Sequence, residues 1–214
     1  MQPEIVRREG EFRGVGLKKS HCLGIVALCL VSAPRLASAE WQAIEKEAPY
    51  AVTGQTGAEL YASIGERGPK AGLGRAIAHT NFKLTWTRKY EQVAGACTLT
   101  TARPKLIITY TLPKPSKPLP AGTRENWATF INGVRKHELV HGDFIKEMVR
   151  AIEQATLGFS VPDDPKCQKI RTEMTKRLGA LSQAQRQRSR DFDQVELTDG
   201  GNIHQLILKL VNGP

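Results

Sequence analysis

The longest amphipathic pattern of this chain lies between residues 123 and 158. Apolar side chains recur there three or four residues apart, as they do on one face of a helix. Thr123 can cap the start of such a helix, and Gly158 is suited to its end. The pattern therefore predicts one long helix with a single buried face, formed by Trp127, Phe130, Ile131, Val134, Ile145, Met148, Val149 and Ile152.

Shorter patterns of strand type precede this helix, the clearest alternating with a period of two. They predict strands at residues 50–52, 82–87, 96–103 and 106–110, and a short helix at residues 56–65. The prolines between Pro113 and Pro120 predict a stiff polyproline connector.

A second amphipathic pattern follows the long helix. It predicts a C-terminal helix that starts near residues 163–165 and ends in a basic, solvated stretch at residues 186–190. The residues expected to face inward are Cys167, Ile170, Met174, Leu178 and Leu181. Strands followed by helices indicate an α+β fold. We expect a small antiparallel sheet packed with the long helix and the second helix, an arrangement similar to that of zincins.

The middle of the long helix carries the motif His137-Glu138-Leu139-Val140-His141. Residues four apart share a helix face, so both imidazoles can reach one metal ion, with Glu138 beside them as a general base. Zn²⁺ is the expected cofactor. The alternative is a pair of ordinary core histidines.

The N-terminal residues predict a secretory signal peptide. Lys18 and Lys19 precede an apolar run at residues 22–31, and Ala37-Ser38-Ala39 is typical of a cleavage site. Cleavage would remove residues 1–39 and leave residues 40–214 as a single zinc-protease-like domain, periplasmic or secreted, with no membrane span. The apolar run is short for a span, and an uncleaved anchor is the alternative.

Charge bears on the partners of the chain, and cysteine content agrees with export. The chain has a net charge of +10 without a nucleic-acid-binding motif, so we expect no nucleic-acid partner. Cys97 and Cys167 are the two cysteines that would remain after cleavage. In an oxidising compartment such a pair predicts a disulfide, and two buried free thiols are the alternative.

Taken together, these features resemble a bacterial family of predicted secreted or periplasmic zinc-dependent proteases, domain of unknown function 922. The resemblance rests on residues 50–56, Trp127, the motif with its following Gly142-Asp143, and both cysteines. It implies a zinc-dependent hydrolase that is exported. One position departs: Gly200 stands where the family has a histidine.

A catalytic zinc takes three protein ligands and keeps a fourth position open. Asp143 lies about 240° round the helix from His137, and Glu147 fails by the same geometry. Among the downstream candidates Glu173, Asp191, Asp193, Asp199 and His204, we expect either Asp193 or His204 to complete the site, because both flank the family's closing motif.

The predicted function is an exported zinc metallopeptidase that hydrolyses peptide bonds, with Glu138 as general base. Its substrate would be a peptide or protein, with cell-wall peptide included, and Tyr110 or His204 is a candidate oxyanion donor. The alternative is a non-catalytic envelope protein that keeps the fold, with or without a metal, but has lost the family histidine at Gly200. A third hypothesis is a module that binds a metal ion and does not catalyse hydrolysis.

Overall fold

The computed structural model describes residues 41–71 and 74–213. The predicted signal peptide at residues 1–39 lies outside the described residues. Strands predominate in the first half of the described chain and helices in the second half. In chain order they are β1 (Ile44–Val52), α1 (Gly57–Arg67), β2 (Lys70–Ala71), β3 (Gly74–Arg75), β4 (His79–Val93), β5 (Ala96–Pro115), α2 (Ala121–Thr156), β6 (Ser160–Pro162), α3 (Lys169–Leu197) and α4 (Asn202–Val211).

Strand β5 is the centre of the main sheet. It pairs in antiparallel fashion with β4 and with the short β6, but in parallel with β1. The α+β class is confirmed, whereas the prediction of a wholly antiparallel sheet was wrong at β1. A parallel pair requires a crossover connection, and the chain between β1 and β5 supplies one through α1 and the hairpin of β4.

The sequence predicted two strands followed by a polyproline connector, because prolines interrupt the pattern, but the structure has the single strand β5 over most of this stretch. Pro104 pairs with Trp86 of β4 at a point that β1, starting opposite Ile107, does not reach. Pro113 pairs with Tyr50 of β1, beyond the last partner of β4. Each proline therefore lies where β5 has a neighbour on one side only, so its missing N–H need not break a ladder.

The predicted long helix is confirmed as α2, with its apolar stripe in the core. Phe130, Val134, Ile145 and Val149 are buried together with Ile108 and Leu112 of β5. The helix starts two residues before Thr123. This packing leaves one flank of α2 to the C-terminal helices, and the histidines lie on that flank.

Helix α3 starts later than predicted, at Lys169. The side chain of Asp164 accepts hydrogen bonds from the backbone N–H groups of Gln168 and Ile170, at 2.8 and 2.9 Å. Asp164 thus caps the helix across an intervening turn. The predicted disulfide between Cys97 and Cys167 is present and joins β5 to this turn.

Sequence reasoning did not identify α4. Its residues Ile203 and Leu210 are buried against the core. Among the described residues, no helix has both the length and the apolar character needed to cross a membrane.

Candidate metal centre

His137 and His141 on α2 meet Asp193 on α3. The Oδ1 atom of Asp193 lies 3.1 Å from Nε2 of His137 and 2.9 Å from Nε2 of His141, and the two nitrogens are 3.1 Å apart. Within the described part of the chain, this is the cluster that could hold a metal ion. Three ligands of a tetrahedral zinc lie roughly 3.3–3.6 Å from each other. The cluster is therefore compatible with zinc after a shift of a few tenths of an ångström.

The donor set also suits that metal. Two imidazole nitrogens and one carboxylate oxygen make a typical three-ligand set for catalytic zinc. Burial opposes ionisation of Asp193, but hydrogen bonds and charge from His137 and His141 outweigh it and hold the pKa of the carboxyl well below its usual value. Asp193 is thus ionised at neutral pH, as a carboxylate ligand must be.

Neighbouring side chains on α3 orient the imidazoles. The ring of Phe192 stacks on His137 with centroids 4.7 Å apart, and Ser189 Oγ lies 3.3 Å from Nδ1 of His141. Nδ1 of His137 is buried without a hydrogen bond, and a carboxylate oxygen of Glu196 lies 3.8 Å from it. The same oxygen accepts a hydrogen bond from Asn202. These contacts fix the rings so that both Nε2 atoms converge.

Glu138 lies beside the cluster and is buried, with 5% of its surface exposed. Thr80 on β4 donates its hydroxyl hydrogen bond at 2.5 Å to Oε2 of Glu138 and lies 3.1 Å from the Glu138 carbonyl oxygen. The carboxylate is therefore held by the sheet rather than by the three-residue cluster.

A groove of about 960 Å³ opens over this centre. Its floor includes both histidines, Glu138 and Asp193. The start of β4, at residues 79–82, forms one wall, and α3 with α4 forms the other. Such a groove, with apolar walls and convergent polar groups, is typical of a ligand site.

The excluded carboxylates point elsewhere, as the helix geometry predicted. Asp143 pairs with Lys146 at 2.8 Å, and Glu147 pairs with Arg188. Downstream, Glu173 pairs with Lys176, and Asp191 accepts a hydrogen bond from Gln187.

Of the two predicted third ligands, the structure brings only Asp193 to the imidazoles. His204 lines the groove outside the cluster, and its Nδ1 accepts a hydrogen bond from the Gly200 N–H at 3.1 Å. That bond leaves the proton of a neutral His204 on Nε2. Asp199 lies 3.9 Å from this nitrogen.

The structure also places Gly200 and Tyr110, two residues that the sequence analysis discussed. Gly200 has a φ of +83°, a left-handed conformation that glycine adopts without steric cost. Tyr110 is not an oxyanion donor, because its hydroxyl donates to Glu45 at 2.7 Å on the sheet side of α2. Burial and this bond raise the pKa of Tyr110.

Sequence reasoning missed Thr80 and the face of α3 that supports the site. That face has a recognisable spacing, because Ser189, Asp193 and Glu196 are four and three residues apart. The spacing was obscured by the surrounding arginines, which indicated a solvated helix end. No pattern in the sequence marks Thr80, because its contact with Glu138 depends on which strand lies beside α2.

Fold and site together describe an α+β protein with a two-histidine, one-carboxylate cluster at the base of a groove. The chain belongs to the family described as bacterial protein of unknown function (DUF922), whose family model matches residues 47–201. The match runs from β1 through α3 and includes all three residues of the cluster. Comparisons with curated proteins and with solved structures found no match.

Proposed function

We propose that this protein is an exported zinc-dependent metallopeptidase that hydrolyses peptide bonds. The observation that carries the proposal is the convergence of His137, His141 and Asp193 beside the buried Glu138, all at the base of one groove. Export is supported by the predicted signal peptide and is consistent with the Cys97–Cys167 disulfide.

The four side chains have separate roles in this proposal. His137, His141 and Asp193 hold Zn²⁺, which when bound lowers the pKa of water and polarises a carbonyl group. Glu138 takes the proton of the attacking water and passes it to the leaving amine. Thr80 orients the Glu138 carboxylate through its hydrogen bond.

The start of β4 suits an extended substrate. Within the described residues β4 has β5 on one side only, and residues 79–82 lie at the groove beside Glu138. A peptide added along that free edge would pair with backbone groups of β4. Its scissile bond would then lie across the base of the groove.

The test compares Glu138→Gln with Asp143→Asn in the exported protein. Glu138→Gln should keep about one zinc per chain and lose at least about 100-fold of peptide hydrolysis, because it removes the general base alone. Asp143→Asn removes a carboxylate of the same helix that faces away, and it should keep both properties. Zinc is measured by mass spectrometry and hydrolysis with a quenched fluorescent peptide mixture.

Two outcomes would contradict the proposal. Absence of zinc from the unaltered protein would favour a non-catalytic envelope protein that keeps the fold. Zinc with equal hydrolysis in the unaltered protein and in Glu138→Gln would assign the activity to a contaminant or to another site.

A further inference from the structure

The groove contains arginine side chains in addition to the residues of its candidate metal centre. Arg186 and Arg190 of α3 and Arg75 of β3 all line it. None of the three forms an ion pair with a carboxylate among residues 41–71 and 74–213. Arg186 bonds to Ser182, Arg190 to Gln187, and Arg75 to the carbonyl oxygen of Gly68.

The acidic groups of the groove do not neutralise these arginines. Its two carboxylates are those of Glu138 and Asp193. The first is bonded to Thr80 and the second to both histidines. A bound zinc ion would offset both carboxylates and leave the three guanidinium groups in excess. A low-dielectric groove with one sign of charge attracts ligands of the opposite sign.

Two of the arginines share a helix face with the metal centre. Arg190 precedes Asp193 by three residues and Arg186 precedes it by seven, so the three side chains follow one face of α3. At 1.5 Å per residue, their backbone positions lie about 4.5 and 10.5 Å along the helix from Asp193. The two arginines are therefore about 6 Å apart along the helix, close to the roughly 6.6 Å between alternate residues of an extended peptide, whose side chains point to the same side.

Exposed apolar side chains also line the groove. Phe82, Leu197 and Leu208 line the groove and are 37%, 48% and 40% exposed. These three are among the few large apolar side chains exposed in the described chain, and their clustering at one opening indicates a contact surface.

We propose that the groove selects peptides with acidic side chains. In this assignment Arg186 and Arg190 form ion pairs with those side chains, while Phe82, Leu197 and Leu208 contact apolar neighbours of the same peptide. The assignment rests on the proposed function, because it names the substrate class of the same groove.

Binding to the zinc-loaded Glu138→Gln protein tests the assignment without turnover. Three peptides of one extended Ala- and Leu-containing sequence would differ only in carrying two Glu, two Gln or two Lys residues. Calorimetry should find the Glu peptide bound about tenfold more tightly than the Gln peptide, since hydrogen bonds to charged groups contribute that much. The preference should weaken as salt is raised.

Charge reversal at the arginines gives the sharper comparison. Arg186→Glu with Arg190→Glu should reverse the preference, so that the Lys peptide binds best. Lys166→Glu with Lys176→Glu makes the same charge change at exposed positions outside the groove and should keep the preference for Glu. If the reversed variant loses its helical signal or its zinc, Arg186→Gln with Arg190→Gln replaces it and should abolish the preference.

Several outcomes would overturn the assignment. The assignment fails if the Glu peptide does not bind, or if the Glu and Gln peptides bind equally. It also fails if the lysine variant loses the preference as much as the arginine variant does, because that result would reveal an effect of net charge alone. Hydrolysis of the Gln peptide as fast as the Glu peptide by the unaltered protein would reject the assignment and leave the proposed function intact. Selective binding of the Glu peptide by a protein that has neither zinc nor hydrolytic activity would support the selection of acidic peptides and reject the proposed peptidase function.

Discussion

At the scale of single residues, the position of Asp193 decides what the two histidines can do. Two imidazoles alone do not make a catalytic zinc site, because such a site takes three protein ligands and keeps one position for water. Asp193 reaches both Nε2 atoms, at 2.9 and 3.1 Å, because α3 crosses the flank of α2 at this level.

Asp193→Asn should weaken zinc binding more than about tenfold, because it removes the ligand charge and not merely an outer contact. Asp191→Asn is the matched control, since Asp191 lies on the same turn but bonds to Gln187. Zinc affinity is measured by competition with a chelator. Equal zinc affinity of both variants would mean that Asp193 is not a ligand.

Glu196 gives a second prediction at this scale. Its carboxylate is 3.8 Å from Nδ1 of His137, the nitrogen that faces away from the cluster. Glu196→Gln should lower zinc affinity about tenfold, because a carboxylate behind a ligating imidazole orients it and raises its basicity. Glu173→Gln, on the same helix but paired with Lys176, should leave the affinity unchanged. The same chelator competition measures both, and equal affinities would rule out the contact.

At the scale of elements, the close approach of α2 to β5 sets the orientation of the motif. Gly142 directly follows the motif, and a Cβ atom at this position would lie 2.1 Å from the hydroxyl oxygen of Tyr110. That hydroxyl is held by Glu45 and cannot move away freely. The glycine therefore allows the helix to lie flat on the sheet with the histidines turned to the groove.

Gly142→Ala should destabilise the protein by about 1–3 kcal/mol, because the added methyl group forces the helix away from β5. Gly179→Ala, in the middle of α3 where nothing lies within 4 Å of an added Cβ, should stabilise it by up to about 1 kcal/mol. Denaturant unfolding measures both. Tyr110→Phe combined with Gly142→Ala should recover part of the loss, and a failure of Gly142→Ala to destabilise would contradict the close contact.

At the scale of the whole molecule, the disulfide spans the part of the chain that includes α2. Cys97 and Cys167 are 70 residues apart, and the bond links β5 to the turn before α3. Replacement of both by Ala should lower the free energy of unfolding by about 2–5 kcal/mol, because the unfolded chain gains freedom. Reductant should destabilise the parent and not the double variant. Equal stability of the two under oxidising conditions would disprove this role.

Local sequence determined the parts of this protein that depend on neighbours along the chain. The apolar stripe of α2, the i, i+4 histidines and the exclusion of Asp143 follow from periodicity within one element, and the α+β class follows from the order of the elements. The disulfide followed from cysteine count and the expected compartment.

Only the tertiary structure decided between Asp193 and His204, because the choice depends on where α3 crosses α2. It likewise decided that Thr80 holds Glu138, and that β1 pairs in parallel with β5. Those contacts join residues that are dozens of positions apart, and no period within one element records them. The histidines and Glu138 of the site follow from the sequence of one helix. Asp193 and Thr80 join them only because tertiary packing brings α3 and the edge strand β4 to that helix.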